Sequence, residues 1–344
     1  MKITAIKPFV LDAGIYVKIE TDEGIYGLGE GGMKRRGRAI AEVIHSMAPD
    51  LIGQDPFRIE HLWQVMFRGG FFPGGGIQTS AVSAVDIALW DIKGKALGVP
   101  VYELLGGLVR DKVVCYPHNG DSRDIDKLVA SCKKTQAAGY KFVRCGIVDP
   151  EGEEGHILEP SAVIQFCKGV EQYRPYFIED PIRSESSESL RLVRQQTSVP
   201  IAVGEQWAGK WAFRQVIEEE LTDYARIDIC IAGGLTEAKK IAGWCETHYI
   251  YLAPHNPLGP VSTAACLHLC LASSLVGVQE CPSPPGTTHT DVFPVQVPFA
   301  DGYLQVPDRP GLGVEFNEEA AVAGEPRAGK GLWYWREDGS FTNW

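Results

Sequence analysis

The period of the hydrophobic pattern changes along the chain. Near the N-terminus apolar and polar side chains alternate, which is typical of half-buried strands, and a DEG turn signal divides two of these segments. The strand-like segments are residues 2–11, 15–24 and 25–31. In residues 79–98 apolar side chains instead recur at every third or fourth position, which predicts a helix with one broad apolar face. Residues 1–111 are therefore predicted to form a small α+β unit.

From Lys112 onward, short apolar runs alternate with helical stretches. The runs read VVCY, KFVRC, YFIED, IAVGE, ARIDI, IYLAPH and VGVQE. Strands that alternate with helices are typical of parallel βαβ units, and a long series of them predicts an α/β fold of the (β/α) TIM barrel type. The barrel is predicted to occupy residues 112–310. The last segment, residues 311–344, is predicted to pack back onto the N-terminal unit.

Polar residues close most of the predicted strands. They are Arg144, Glu179, Glu205, Asp228, His255 and Glu280. Because the carboxyl ends of parallel barrel strands face one mouth, these side chains are predicted to surround a single site. His118, which follows the first of the strands, is expected to line the same pocket.

One strand is missing from the predicted barrel. Successive strand ends from Glu179 to Glu280 are 23 to 27 residues apart, whereas Arg144 and Glu179 are 35 residues apart, too few for two units. The chain offers seven strand candidates for a barrel that needs eight. The gap is therefore predicted to fall after Arg144.

Bulk composition restricts the class of function. The chain has 344 residues, 44% of them hydrophobic, which is enough for a large core. Its formal net charge of −11 argues against binding to nucleic acid or to an anionic membrane. The nine cysteines form no CxxC pair, and the N-terminus has no long apolar segment. We therefore expect a soluble, cytoplasmic protein with reduced thiols.

The residue types at the strand ends indicate metal-assisted proton transfer. Glu179 and Glu205 close adjacent predicted strands, and such a pair of hard oxygen ligands suits Mg²⁺. His255, two strands further on, is a candidate general base, and Asp228 on the intervening strand could hold its imidazole in one tautomer. A structural histidine is the alternative, but the neighbouring aspartate favours catalysis.

Longer motifs resemble a known family. They are GLGEG (27–31), SAVSAVDIALWDIKGKALGVPVYELLGG (80–107), FIEDP, VGE, AGGLTEAKKIA (232–242) and PDRPGLGVE (307–315). Together these segments resemble the enolase superfamily and, within it, the mandelate racemase/muconate lactonizing enzyme subgroup over nearly the whole length. LAPHNPLGPVSTAACLH and GYKFVR further resemble acid-sugar dehydratases of the galactonate and mannonate type.

The resemblance implies a modified TIM barrel with an N-terminal α+β capping domain. It also implies the Mg²⁺-dependent dehydration of a small sugar acid to a 2-keto-3-deoxy acid, through an enediolate that the metal stabilises. Glu179 and Glu205 match two of the family's metal ligands. His255 matches the base that takes the α-proton, with Asp228 as its partner, and Glu280 matches the group beside the substrate carboxylate. A homo-oligomer is expected from the family.

The chain departs from the family where a third metal ligand is expected. In the family an aspartate ends the strand before FIEDP, and in these dehydratases a histidine two residues later is the general acid. Residues 146–160, GIVDPEGEEGHILEP, contain no such strand and are interpreted as its remnant or as a loop. His156 is the candidate general acid and Glu153 or Glu154 the candidate ligand, with solvated loop side chains as the alternative. Either the protein lacks this unit or its residues are absent from the sequence.

The end of the KFVRC run is a second departure. Many relatives have Lys-x-Lys there, whereas this chain has Arg144, Cys145 and Gly146. Without the second lysine, one-base elimination is favoured over two-base racemisation. Arg144 is predicted either to steer the anionic substrate or to form a structural ion pair. Two alternatives to a dehydratase remain: a non-catalytic homologue with an incomplete metal site, and a racemase or epimerase of a 2-hydroxy acid.

Overall fold

The N-terminal unit is an antiparallel sheet covered by helices. The computed structural model describes residues 1–11, 14–119, 124–146, 159–323, 335 and 337–340. The strands of this unit pair in sequence order and are β1 (Ile3–Leu11), β2 (Gly14–Thr21) and β3 (Tyr26–Gly31). The helices that follow are α1 (Gly37–Leu51), α2 (Ile59–Arg68), α3 (Gly76–Leu97) and α4 (Val101–Leu104). The predicted α+β cap is confirmed.

Helix α3 is buried on nearly all sides, whereas the sequence predicts a single apolar face. Every residue from 79 to 89 is buried. The helix lies against β3 on one side and against helices of the barrel on the other. Its approach to β3 requires glycine, because a Cβ on Gly29 would lie 1.7 Å from the carbonyl oxygen of Ala84. The helix therefore forms the centre of the cap.

The barrel strands are short and parallel. They are β4 (Lys112–Tyr116), β5 (Ile178–Glu179), β6 (Ile201–Val203), β7 (Tyr224–Ala225), β8 (Tyr251–Leu252) and β9 (Gln279–Glu280). Strands β5 to β8 pair in sequence order and β9 pairs with β4. A bridge from Leu252 to Val276 connects β8 to the segment before β9. These pairings confirm the predicted series of βα units.

Helices connect the strands and cover the outside of the barrel. They are α5 (Ile125–Ala137), α6 (Pro160–Val170), α7 (Ser187–Arg194), α8 (Lys210–Glu218), α9 (Ile229–Ala232), α10 (Gly234–Thr247) and α11 (Pro260–Leu271), with a 3₁₀ turn at Glu171–Tyr173. None of the helices in the described part of the chain combines the length and the hydropathy that a membrane span requires.

After the barrel the chain returns to the cap. A hairpin of β10 (Phe299–Ala300) and β11 (Tyr303–Gln305) pairs antiparallel with β4. Helix α12 (Glu318–Ala323) contacts β1. There the carboxylate of Glu318 lies 3.2 Å from Nζ of Lys7 and 2.5 Å from Nζ of Lys18. The domain boundaries stay predictions, but residues 318–323 lie on the N-terminal sheet.

The predicted strand at residues 141–145 is wrong. These residues are irregular, and neither β4 nor β5 pairs with them. A strand is stabilised by its ladder of backbone hydrogen bonds, and this segment has no such ladder to a described neighbour. It still lies close to β5, because the ring centroids of Phe142 and Tyr176 are 4.6 Å apart. Among the described residues, no strand separates it from β5.

A buried polar network joins the cap to the barrel. Asp86 of α3 is fully buried and accepts hydrogen bonds from the backbone N–H and the hydroxyl of Thr236 at 3.0 and 2.5 Å. The indole N–H of Trp90 donates to the same hydroxyl at 2.9 Å, and that of Trp63 donates to the carbonyl of Gly233 at 2.8 Å. Burial raises the pKa of Asp86 to about 7, although the hydrogen bonds from Thr236 act in the opposite direction.

We expect Asp86 to stabilise the fold less as the pH rises. Because its folded-state pKa of about 7 exceeds its ordinary value of 3.8, its contribution is fully present below about pH 4 and is lost as the pH rises through about 7. Between these pH values the free energy of unfolding of Asp86→Asn should therefore fall by about 1–4 kcal/mol less than that of the wild type. Urea unfolding at several pH values measures the difference.

Asp50→Asn is the matched control, because it removes an exposed carboxylate of α1. Its curve should stay within about 0.5 kcal/mol of the wild type at each pH. Parallel curves for wild type and Asp86→Asn would show that the carboxyl does not change charge in this range.

Candidate active site

The barrel brings the predicted side chains to one mouth. Each stands at the carboxyl end of a strand or within three residues of it: His118 after β4, Glu179 on β5, Glu205 after β6, Asp228 after β7, His255 after β8 and Glu280 on β9. His156 lies outside the described residues, as do Glu153 and Glu154. The convergence follows from parallel strands in a ring, as the sequence predicts.

Asp228 fixes the orientation of the His255 ring. One oxygen of Asp228, Oδ1, accepts the backbone N–H of Cys230 at 2.8 Å, so the aspartate caps the N-terminus of α9. The other oxygen, Oδ2, lies 2.9 Å from Nδ1 of His255. This contact places the Nδ1 proton towards the aspartate and leaves Nε2 as the basic atom. That Nε2 lies 3.5 Å from Glu205 and 4.0 Å from Glu280.

The charges around His255 favour its protonated form. Burial alone would lower the pKa of His255, but the carboxylates of Glu205, Glu280 and Asp228 outweigh it and raise the pKa to about 9. The surrounding carboxylates therefore make the imidazole accept a proton readily and retain it. A histidine with these properties is suited to general base chemistry when a cation reduces the surrounding negative charge.

A buried arginine lies beneath this site, and the sequence interpretation missed it. Arg226 is completely buried, and its Nη2 contacts Glu179 and lies 2.7 Å from Glu280. Its Nη1 donates to the carbonyl of Ala253 at 2.8 Å, which fixes the guanidinium against β8. Arg226 and Asp228 follow β7 two residues apart, and alternate residues of an extended segment face the same side. The spacing R-x-D was therefore the signal that could have found it.

Glu280 stays ionised at the centre of these contacts. Burial would raise its pKa, but Arg226, His255 and His118 together hold the pKa well below its usual range. Its carboxylate accepts the backbone N–H of Asn256 at 2.9 Å and contacts Nε2 of His118. His118 is thus brought into the site by Glu280.

Two other carboxyl groups of the site are hard to ionise in these surroundings. Burial, with the charge of Glu179, raises the pKa of Glu205 to about 7, although His255 acts in the opposite direction. Burial and the charges of Glu205 and Glu179 also raise the pKa of Asp180 well above its usual range. Asp180 follows Glu179 directly and is buried with φ of 38°. The three acidic groups would be stabilised together by an added cation.

The described residues fit two positions of a magnesium site. Glu179 and Glu205 supply carboxylate oxygens from neighbouring strands, which is the chemistry that Mg²⁺ prefers. Within the described ranges no three His, Cys, Asp or Glu side chains are grouped so as to hold a metal ion. The predicted third ligand, Glu153 or Glu154, falls in the part of the chain that is not described.

Arg144 lies beside this pair. Its Nε is 3.7 Å from Oε2 of Glu179, a long ion-pair distance, and its side chain is one-third exposed. Both predicted roles, steering of an anionic substrate and a structural ion pair, are compatible with this position.

The cap also reaches the site, through Glu30 of β3. This carboxyl is buried and accepts the backbone N–H groups of Gly259 and Ser262 at 2.7 and 2.8 Å. It therefore holds the segment that leads from His255 into α11. Burial raises the pKa of Glu30 to about 7, although the two N–H groups act in the opposite direction. The sequence interpretation used GLGEG only as a family motif and missed this contact.

An α+β cap on a parallel barrel, with acidic and basic side chains at the strand ends, defines a protein of the enolase superfamily. Residues 4–106 match the mandelate racemase / muconate lactonizing enzyme N-terminal domain, and residues 126–320 match the enolase C-terminal domain-like family. The chain belongs to the mandelate racemase / muconate lactonizing enzyme family, and the resemblance drawn from its motifs is confirmed.

Curated relatives align with this chain from end to end. It is 39% identical to the D-galactonate dehydratase of Ralstonia nicotianae and 38% identical to that of Pectobacterium atrosepticum, over 100% of both chains in each case. Each alignment spans 386 positions, which is 42 more than the 344 residues of this chain. The alignments therefore contain gaps in this chain.

Solved structures share the fold. An enolase from Pantoea ananatis with bound D-gluconate and Mg is 33% identical and has a TM-score of 0.88, covering 95% of each chain. An enolase from Agrobacterium radiobacter with bound Na and L-malate is 28% identical and has a TM-score of 0.92, covering 99% of each chain. The predicted fold class is confirmed.

Proposed function

We propose that this chain is a Mg²⁺-dependent hydro-lyase that converts a sugar acid of the aldonate class into a 2-keto-3-deoxy acid. The observation that carries the proposal is the orientation of His255. Asp228 holds its Nδ1, so that its Nε2 faces the carboxylates of Glu205 and Glu280. The full-length similarity to D-galactonate dehydratases supports the substrate class.

The proposed reaction begins with removal of the α-proton by Nε2 of His255. Asp228 holds the Nδ1–H, so the imidazolium that forms is stabilised by the same contact that orients the ring. Glu179 and Glu205 would hold Mg²⁺, which supplies a Lewis acid for the substrate oxygens. A cation held by Glu205 would offset part of the charge that raises the pKa of His255, and the ring would then be a better-matched base near neutral pH.

Elimination of the 3-hydroxyl completes the proposed reaction. It requires a proton donor, and His156 stays the prediction for that role. Arg144 is proposed to attract the substrate carboxylate, because its guanidinium lies beside Glu179 and is one-third exposed. Glu280 is proposed to lie beside the same carboxylate and His118 to line the pocket. A cytoplasmic location and a homo-oligomer are further predictions from the sequence.

One observation favours the non-catalytic alternative. Glu179 is already paired with Arg226 and Arg144, and only two of the expected metal ligands lie in the described part of the chain. If residues 147–158 supply no metal ligand, the same fold would bind a small molecule without catalysing its reaction. A racemase is disfavoured because Arg144, Cys145 and Gly146 stand where relatives carry a second lysine.

We expect 2-keto acid to form from at least one aldonate and only when Mg²⁺ is present. The assay uses galactonate, mannonate, gluconate and arabinonate with the folded protein, once with Mg²⁺ and once with EDTA. Product that forms equally well in EDTA would contradict the magnesium requirement. Deuterium incorporation at C2 without loss of water would indicate a racemase or epimerase instead, and no reaction with any acid would favour the non-catalytic homologue.

A further inference from the structure

The cysteines of this chain are not equally accessible. Seven of the nine are buried, and the remaining two, Cys132 and Cys145, are half-buried and exposed respectively. Their Sγ atoms lie 3.6 Å apart. The only two thiols within reach of solvent are therefore neighbours.

The pair lies at the rim of the candidate active site. Cys132 is on α5, and its Sγ accepts a hydrogen bond from Nδ2 of Asn119 at 3.6 Å. Asn119 follows His118, which contacts Glu280. On the other side, Cys145 follows Arg144, whose Nε is 3.7 Å from Glu179. The two sulfurs thus connect the end of β4 to the irregular segment 141–146.

The geometry favours a disulfide over a metal site. A disulfide needs the sulfurs about 2.05 Å apart, so they must approach by about 1.5 Å. Residues 141–146 have no strand ladder to a described neighbour, so a shift of Cys145 towards Cys132 breaks no described strand pairing. A thiophilic metal would need about four ligands. The described residues group no third His, Cys, Asp or Glu with the two sulfurs.

We propose that Cys132 and Cys145 form a dithiol site that is oxidised reversibly by small-molecule disulfides of the glutathione type. The exposed Cys145 thiolate attacks one sulfur of the small disulfide, breaks its S–S bond and releases one small thiol. Cys132 then attacks Sγ of Cys145, forms the internal disulfide and releases the second small thiol. The two protein sulfurs lose two electrons, the small disulfide gains them, and the two protons leave with the two small thiols.

Oxidation at this site would act on Arg144. Drawing Cys145 towards α5 displaces Arg144, which precedes it in the chain. Arg144 is the only described residue other than Arg226 that forms an ion pair with Glu179. An effect on turnover rests on the proposed function, whereas formation of the disulfide does not.

The test incubates the folded protein with glutathione disulfide and counts thiols. We expect the accessible thiols to fall from two to none, while seven thiols remain after unfolding, and the intact mass to drop by two hydrogen atoms. Dithiothreitol should restore both thiols. Cys132→Ser should instead retain one glutathione as a mixed disulfide on Cys145. Cys167→Ser, which removes a buried thiol, should oxidise like the wild type.

Two glutathione adducts on the wild type, or no loss of thiols, would overturn the inference. Formation of 2-keto acid from aldonates by the reduced and oxidised forms is measured separately. If the disulfide forms and neither form turns over any aldonate, the inference stands and the proposed function fails. If the reduced form is active and no disulfide forms, the reverse holds.

Discussion

Replacing His255 with asparagine is expected to lower kcat for 2-keto-acid formation by about 10²–10⁴-fold, the range over which a positioned general base accelerates a reaction. The side-chain NH2 of asparagine can still donate a hydrogen bond to Asp228, so the local packing is largely kept, but the amide cannot take a proton. The rate is measured with the most reactive aldonate, at saturating Mg²⁺ and substrate.

His248→Asn is the matched control for this variant. His248 is also a histidine near a carboxylate, with Nδ1 3.4 Å from Glu220, but it stands at the end of α10 and away from the barrel mouth. It should keep the wild-type rate within a factor of about two, since its interaction is exposed. Similar losses in both variants would indicate a general effect on folding.

Exchange of the C2 hydrogen with solvent separates two roles for His255. If His255 removes the α-proton, His255→Asn loses exchange and dehydration together. If exchange continues while dehydration stops, the residue acts on the leaving hydroxyl and the base is another group. A variant that keeps both within a few fold of the wild type would remove His255 from the mechanism.

The strand ends were predictable from the sequence because two simple rules combine. Short apolar runs that alternate with helices predict parallel strands, and closure of parallel strands brings every carboxyl end to one mouth. Glu179, Asp228 and His255 follow from these rules alone, without any knowledge of side-chain contacts. The contact between Asp228 and His255 also follows, because neighbouring strands place their ends side by side.

The irregular segment 141–145 was not predictable in the same way. Its apolar residues are typical of a strand, and Phe142 does pack against the ring of Tyr176 as a barrel residue would. Whether such a run becomes a strand depends on whether another segment of the protein pairs with it, and the run itself does not determine this. The sequence predicts a gap after Arg144, but it could not show that the segment before this position lacks a ladder to a described strand.

Arg226 was missed for a related reason. An arginine in a short run such as ARIDI is usually interpreted as an exposed strand residue, since arginine is almost never fully buried without partners. Its partners, Glu179 and Glu280, belong to strands 47 and 54 residues away in the sequence. Only the folded barrel places all three groups together, so this part of the site depends on tertiary structure.

Replacing Arg226 with methionine is expected to lower the free energy of unfolding by about 3–5 kcal/mol, because it leaves buried carboxylates without their counter-charge. The Glu280 carboxylate is almost completely buried and lies 2.7 Å from the guanidinium, and the Glu179 carboxylate contacts the same nitrogen. Methionine fills much of the volume of arginine, so lost packing contributes less than lost charge. Urea unfolding followed by circular dichroism measures the change.

Arg191→Met is the matched control, because Arg191 also pairs with two carboxylates, Glu188 and Glu219, but its side chain is 40% exposed. Water and salt screen such pairs, so the expected loss is at most about 1 kcal/mol. Equal losses in the two arginine variants would contradict the importance of burial.

The double variant, Arg226→Met with Glu280→Gln, tests directly how much the charge of Arg226 contributes to stability. It removes the carboxylate that the guanidinium neutralises, while the glutamine oxygen can still accept the backbone N–H of Asn256. Part of the stability lost in Arg226→Met should therefore return, since buried charge without a partner costs more than a buried neutral amide. If the double variant is less stable than Arg226→Met, then Arg226 stabilises the barrel through packing and its carbonyl contacts, and its pairing with Glu280 is of minor importance.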